Sequence, residues 1–166
     1  MQYFTDVIIM LSTASLIVKL CTDFPQLQFT PGSEFRWAAH EATVYYKEDS
    51  TDRASLLHEL SHALLEHRAF TRDIQLIIIE QAAWHHAQKV LGPRYTVEIR
   101  DEQVEDSLDT YRDWLHARST CPTCAATGVQ IKQLLYSCVA CHAKWKVNDA
   151  RICELRRTVL HQKRTV

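Results

Sequence analysis

Hydrophobic and polar positions along the chain fall into two textures, one helical in period and one alternating. Val7–Leu11 and Leu16–Val18 are apolar on either side of a Ser/Thr-rich interruption and predict an N-terminal helix ending near Cys21. Residues 24–49 are rich in aromatic and β-branched side chains. Leu27–Thr30, a Pro31-Gly32 turn and Glu34–Lys47 predict a small antiparallel sheet, with Thr43-Val44-Tyr45-Tyr46 its best strand. Ser50-Thr51-Asp52 supplies N-cap residues for a helix over Leu56–Leu65. Thr71 and Asp73 open another helix, which runs to a Gly92-Pro93 stop. Tyr95, Val97 and Ile99 alternate as a short extended link, and Val104, Leu108, Tyr111 and Leu115 form an apolar stripe on a further helix.

Composition narrows the class. With 46% hydrophobic and 23% charged residues in 166, and only 3 Gly and 4 Pro, the chain is an ordinary globular domain, alone or with a small stapled module. A net charge of -1 argues against a polybasic membrane or nucleic-acid binder. The N-terminal apolar run is too short for a membrane span, and Asp6 replaces the basic flank of a signal peptide. A cytoplasmic, reducing setting without membrane contact is therefore expected, with the six cysteines reserved for metal more than for disulfides.

His58-Glu59-Leu60-Ser61-His62 fits H-E-x-x-H. At about 100° per residue, His58 and His62 leave one helix face a turn apart and can bind one Zn²⁺, while Glu59 lies beside that face as a general base for water. A catalytic zinc needs a third protein ligand and an open position. Glu80 is the candidate, because its helical neighbours Leu76, Ile77, Ala83, Trp84 and Ala87 are apolar and an ionised carboxylate among them needs a partner. His67 would lie about 180° from His58 on a continuing helix, and Glu66 a further turn along from His62, so neither is expected at the metal. His85 and His86, about 140° and 240° round from Glu80, are spare candidates only.

Cys121-x-x-Cys124 and Cys138-x-x-Cys141 have the spacing of two knuckles closing a four-thiolate, structural zinc, with Trp145 placed to cover it. The expected boundary lies at Arg118–Thr120, giving residues 1–118 as the catalytic part and 119–166 as a zinc ribbon. Residues 98–118 carry seven acids against three bases, and residues 142–166 seven bases against two acids. Lys144, Lys146, Arg151, Arg156 and Arg157 can therefore contact phosphates or, as a basic helix, pair with the acidic segment. Cys21 and Cys153 have no evident partner.

Leu56–Leu65 followed by Glu80-Gln81-Ala82-Ala83-Trp84 resembles the ImmA/IrrE-like zinc metallo-endopeptidases over roughly residues 25–92. The resemblance implies an α+β, zincin-like core: an N-terminal helix, a small sheet flanking the cleft and two ligand-bearing helices. It also implies His58, His62 and Glu80 as zinc ligands, Glu59 as general base, and a protein substrate such as a transcriptional repressor. The ribbon is not part of that family's core. A ribbon after H-E-x-x-H is also similar to SprT-like proteases acting on DNA-bound proteins, which use a third histidine where this chain has Glu80. Expected cofactors are one catalytic and one structural zinc. A peptide substrate would pair with the 41–47 strand, and Tyr45, Tyr46 or His85 would stabilise the oxyanion. The competing reading is a non-catalytic DNA- or protein-binding adaptor with two structural zincs.

Overall fold

The computed structural model describes residues 13–149 and 154–160. Its elements are α1 (Thr13–Asp23), β1 (Gln28–Pro31), β2 (Arg36–Ala38), β3 (Thr43–Tyr46), α2 (Arg53–Leu64) and α3 (Asp73–His86). A π-helical turn (Ala87–Leu91), α4 (Gly92–Tyr95), α5 (Asp101–Ser119), β4 (Gly128–Lys132), β5 (Leu135–Cys138), β6 (Lys144–Val147) and β7 (Arg157–Leu160) follow. The fold is α+β, and no described helix is long and apolar enough to cross a membrane.

Contacts group the chain into two units. One holds the chain up to Arg68 together with Ile79–Val104, and the other holds Ala69–Ile78 together with Glu105 onward. The boundary expected at residues 118–120 therefore falls inside the second unit. Its cause is Arg118, whose side chain is buried and donates to Asp73 and to the Asn148 carbonyl, while the Trp145 indole donates to the Arg118 carbonyl.

In the first unit, α2 begins where Asp52 caps it, accepting from the Ser55 N–H at 3.0 Å. Leu56, Leu57 and Leu60 are fully buried, as are Leu16 and Leu20 of α1, Val44 of β3, Ala83 of α3 and Ala87 of the π turn. Each buried leucine contributes about 1.5–3 kcal/mol relative to exposure. The sheet has the order β1-β3-β2 and is mixed rather than antiparallel: β1 runs parallel to β3, and β2 antiparallel to it. Pro31-Gly32 makes no hairpin, because the Gly32 N–H bonds to the Tyr46 carbonyl and carries the parallel ladder one residue further. Consequently β3 is paired on both sides, and the 41–47 strand expected to receive a substrate has no open edge.

Gly92-Pro93 does not end the helical run. The π turn leads directly into α4, which carries Pro93 as its second residue, and the run ends at left-handed Thr96. Val97 and Ile99 then bury alternately as the sequence predicts.

In the second unit, β4-β5-β6-β7 form an antiparallel sheet. Trp145 stacks on Tyr136 at 5.6 Å and is fully buried with Cys121, Cys138 and Val147. Gly128 is required there, since a Cβ would overlap the Trp145 ring. Residues 157–160 form strand β7, not part of a basic helix. Arg151 and Cys153 lie outside the described residues, and so does the part of the N-terminal run before Thr13.

Candidate metal centres

Two groups of side chains converge as ions require: His58, His62 and Glu80, and Cys121, Cys124, Cys138 and Cys141. In the first, one helical turn brings both imidazole Nε2 atoms to 3.1 Å of each other. Glu80 Oε2 lies 3.1 Å from His58 Nε2 and 3.4 Å from His62 Nε2. Two ligands held about 2.0–2.1 Å from a tetrahedral ion lie about 3.3 Å apart. The three atoms cannot be joined by protons on both imidazoles at once. With both imidazoles donating to Glu80, their Nε2 atoms confront each other as two donors, whereas a cation at the common point takes a lone pair from all three.

Burial opposes ionisation of Glu80, which is 5% exposed, but the His58 and His62 imidazoles beside it outweigh burial and hold the carboxyl well below the ordinary range. The site therefore holds a carboxylate in an apolar stripe, as a metal ligand must be. The His58 ring stacks on Trp84 at 4.1 Å, and His58 Nδ1 and Trp84 Nε1 are buried without a hydrogen-bond partner.

Glu59, half-buried, points its carboxylate to the sheet: Oε2 accepts the backbone N–H of Trp37 at 2.8 Å. That N–H belongs to β2, an edge strand of the described sheet, and it is spent on Glu59 instead of β3.

His67, not expected at the metal, is not among the three converging side chains; it contacts the other ring nitrogen of His62. The helix ends at Leu64, Glu66 adopts a left-handed φ of 54°, and the chain folds back so that the His67 N–H donates to the His62 carbonyl at 2.9 Å. His67 Nδ1 then lies 3.0 Å from His62 Nδ1. Burial, followed by the neighbouring His62, pushes the His67 imidazole below its ordinary pKa. Glu66 itself is exposed. His86 is a buttress: its Nδ1 lies 3.1 Å from Ser61 Oγ, which donates to the Leu57 carbonyl. His85 is exposed, and the Tyr45 hydroxyl donates to Glu41 at 2.6 Å, so neither is turned to the ligand cluster.

The four cysteines form the second group. Cys121 and Cys141 Sγ are 3.7 Å apart, and Cys124 and Cys138 Sγ 3.5 Å, against about 3.8 Å for two thiolates on a tetrahedral ion with bonds of about 2.3 Å. Each knuckle turns backbone N–H groups onto sulfur: Thr123 onto Cys121, and Cys141 and Ala140 onto Cys138. The N–H of Cys141 and then that of Ala140 lower the Cys138 thiol to about 6, favouring the ligating thiolate. Ala125 and His142, each following the second cysteine of its pair, both take φ of 60°. Lys144 and Lys146 alternate outward from buried Trp145 and Val147, Arg156 is exposed, and Arg157 donates to the Thr120 carbonyl. Cys21 is an exposed free thiol.

No family model, curated protein or solved structure matches this chain.

Proposed function

We propose that the chain is a zinc metallo-endopeptidase of the ImmA/IrrE-like kind, with a structural zinc in its ribbon. The observation that carries this reading is the difference between the two donor groups: three side chains in one, four in the other. Three protein ligands are the complement of a catalytic zinc that keeps a position open, and four thiolates that of a closed structural one. A zinc ion held by His58, His62 and Glu80 would supply Lewis acidity toward a peptide carbonyl and bring water near neutral pKa.

The protein's own groups do the rest. Glu59 follows His58 directly and takes the proton of the attacking water, then returns it to the leaving amine. The Trp37 N–H fixes its carboxylate against the edge of β2. The 41–47 strand is paired on both sides and the outward N–H of β2 is held by Glu59, so an extended peptide would lie beside that carboxylate without adding a full ladder to either strand. The family resemblance points to a DNA-associated regulator as the protein cleaved.

The test is peptidase activity of the zinc-loaded chain against co-expressed regulators, comparing wild type with Glu59→Gln. The variant should keep its metal and lose about 10²-fold or more in rate. Full activity with zinc bound would overturn the general-base role. A fourth protein ligand on the His/His/Glu zinc would favour the adaptor.

A further inference from the structure

We infer that His67 is a positioning residue for the metal centre, acting as the hydrogen-bond acceptor that sets the tautomer and ring angle of His62. The inference rests on His58, His62 and Glu80 forming a metal site, and does not require that the site cleave peptides.

The argument is one of proton placement. His62 presents Nε2 to the cluster, 3.1 Å from His58 Nε2 and 3.4 Å from Glu80 Oε2. A ligating Nε2 carries no proton, so the proton of neutral His62 sits on Nδ1. At 3.0 Å, His62 Nδ1 and His67 Nδ1 make a hydrogen bond only when one nitrogen is protonated and the other bare. His62 is then the donor, and His67 keeps its own proton on Nε2.

The acceptor is also well held. The His67 N–H is tied to the His62 carbonyl, and the His67 carbonyl accepts the Trp37 indole N–H at 3.0 Å. Trp37 thus holds Glu59 through its backbone and His67 through its side chain. Among the described residues His58 has no corresponding acceptor: its Nδ1 is buried without a partner, and its ring is held by stacking on Trp84. Ligand orientation is therefore divided between two devices, and the one on His62 can be removed without touching a ligand. Metal-bound imidazoles commonly depend on such an outer partner, whose loss lowers affinity by about 10–100-fold.

The experiment compares wild type, His67→Leu and His67→Asn. Leucine keeps bulk and removes the acceptor, while the asparagine oxygen occupies nearly the place of His67 Nδ1. Zinc affinity is measured by chelator competition, with the four-cysteine site as an internal control of folding. Imidazole ¹⁵N NMR of protein without metal at the histidine site reads the His62 tautomer directly. His67→Leu should weaken the histidine site about 10–100-fold, leave the cysteine site unchanged and allow both His62 tautomers. His67→Asn should restore affinity to within about threefold and return His62 to the Nδ1–H form. Unchanged affinity and tautomer in His67→Leu, or an asparagine variant as weak as the leucine one, would overturn the inference. If wild type binds no zinc at the histidines, the peptidase reading falls, and the His62 tautomer in the metal-free protein still decides whether His67 orients it.

Discussion

The backbone N–H of Trp37 donates to Oε2 of Glu59 at 2.8 Å, joining the edge of a sheet to the acidic residue that follows His58 in the His58/His62/Glu80 group. The bond has a consequence for stability that separates it from any catalytic role. In Glu59→Gln the amide oxygen can accept the same N–H, so denaturant unfolding should lie within about 0.5 kcal/mol of wild type. Glu59→Ala leaves the N–H at an edge strand, where it must find another acceptor, and should cost about 1 kcal/mol. Equal stability in all three proteins would show that the bond contributes nothing to holding β2 on α2.

Much of this arrangement is legible in the sequence, for identifiable reasons. The ligand pair and the cysteine knuckles follow from spacing, because a helical turn and a four-residue knuckle each fix geometry locally. Glu80 is singled out because a carboxylate among Leu76, Ile77, Ala83, Trp84 and Ala87 must be compensated, and of these all but the half-buried Ile77 are buried. The contact of His67 with the back of His62 is not legible because the helix stops at a left-handed glutamate, where neither glycine nor asparagine announces the turn. The sheet order is missed because alternation fixes which face a side chain takes, not which strand lies next to it. The burial of Arg118 is not legible, because its partner Asp73 lies 45 residues away in the chain.

That Arg118–Asp73 pair should be the costliest polar contact to break in the second unit. Arg118 is 1% exposed; its Nε donates to Asp73 Oδ2, which also accepts the Tyr136 hydroxyl, and its guanidinium lies 4.5 Å from the centre of the Trp114 ring. Arg118→Met would leave a buried carboxylate without its counter-charge, at a cost of about 3–5 kcal/mol. Adding Asp73→Ala should recover part of that loss, since the uncompensated charge is then gone. The exposed Arg112, paired with Glu105 and Asp109 on α5, supplies the contrast: Arg112→Met should cost under about 1 kcal/mol. Chemical denaturation followed through near-ultraviolet circular dichroism reads all three. A loss below about 1 kcal/mol in Arg118→Met would contradict the assignment.

A pH dependence follows from the other end of the first unit. The Tyr95 hydroxyl donates to Asp23 Oδ2 at 2.7 Å, with Arg94 Nη2 at 3.0 Å and Lys19 Nζ at 3.5 Å from the same oxygen. The Tyr95 bond, reinforced by Lys19 and Arg94, holds the Asp23 carboxyl below its ordinary value, while burial and the same bond push the Tyr95 hydroxyl above its own. A carboxyl with a depressed folded-state pKa adds stability that is complete above its unfolded value, about 3.9, and is lost as pH falls through the folded one. Tyr95→Phe removes the largest of these contributions and leaves the two cations in place. Asp23 should then titrate at higher pH than in wild type, followed by its carboxyl ¹³C shift, and the variant should lose less stability than wild type between about pH 4 and pH 2. An Asp23 titration that does not move in Tyr95→Phe would show that Lys19 and Arg94, not the phenol, set its acidity.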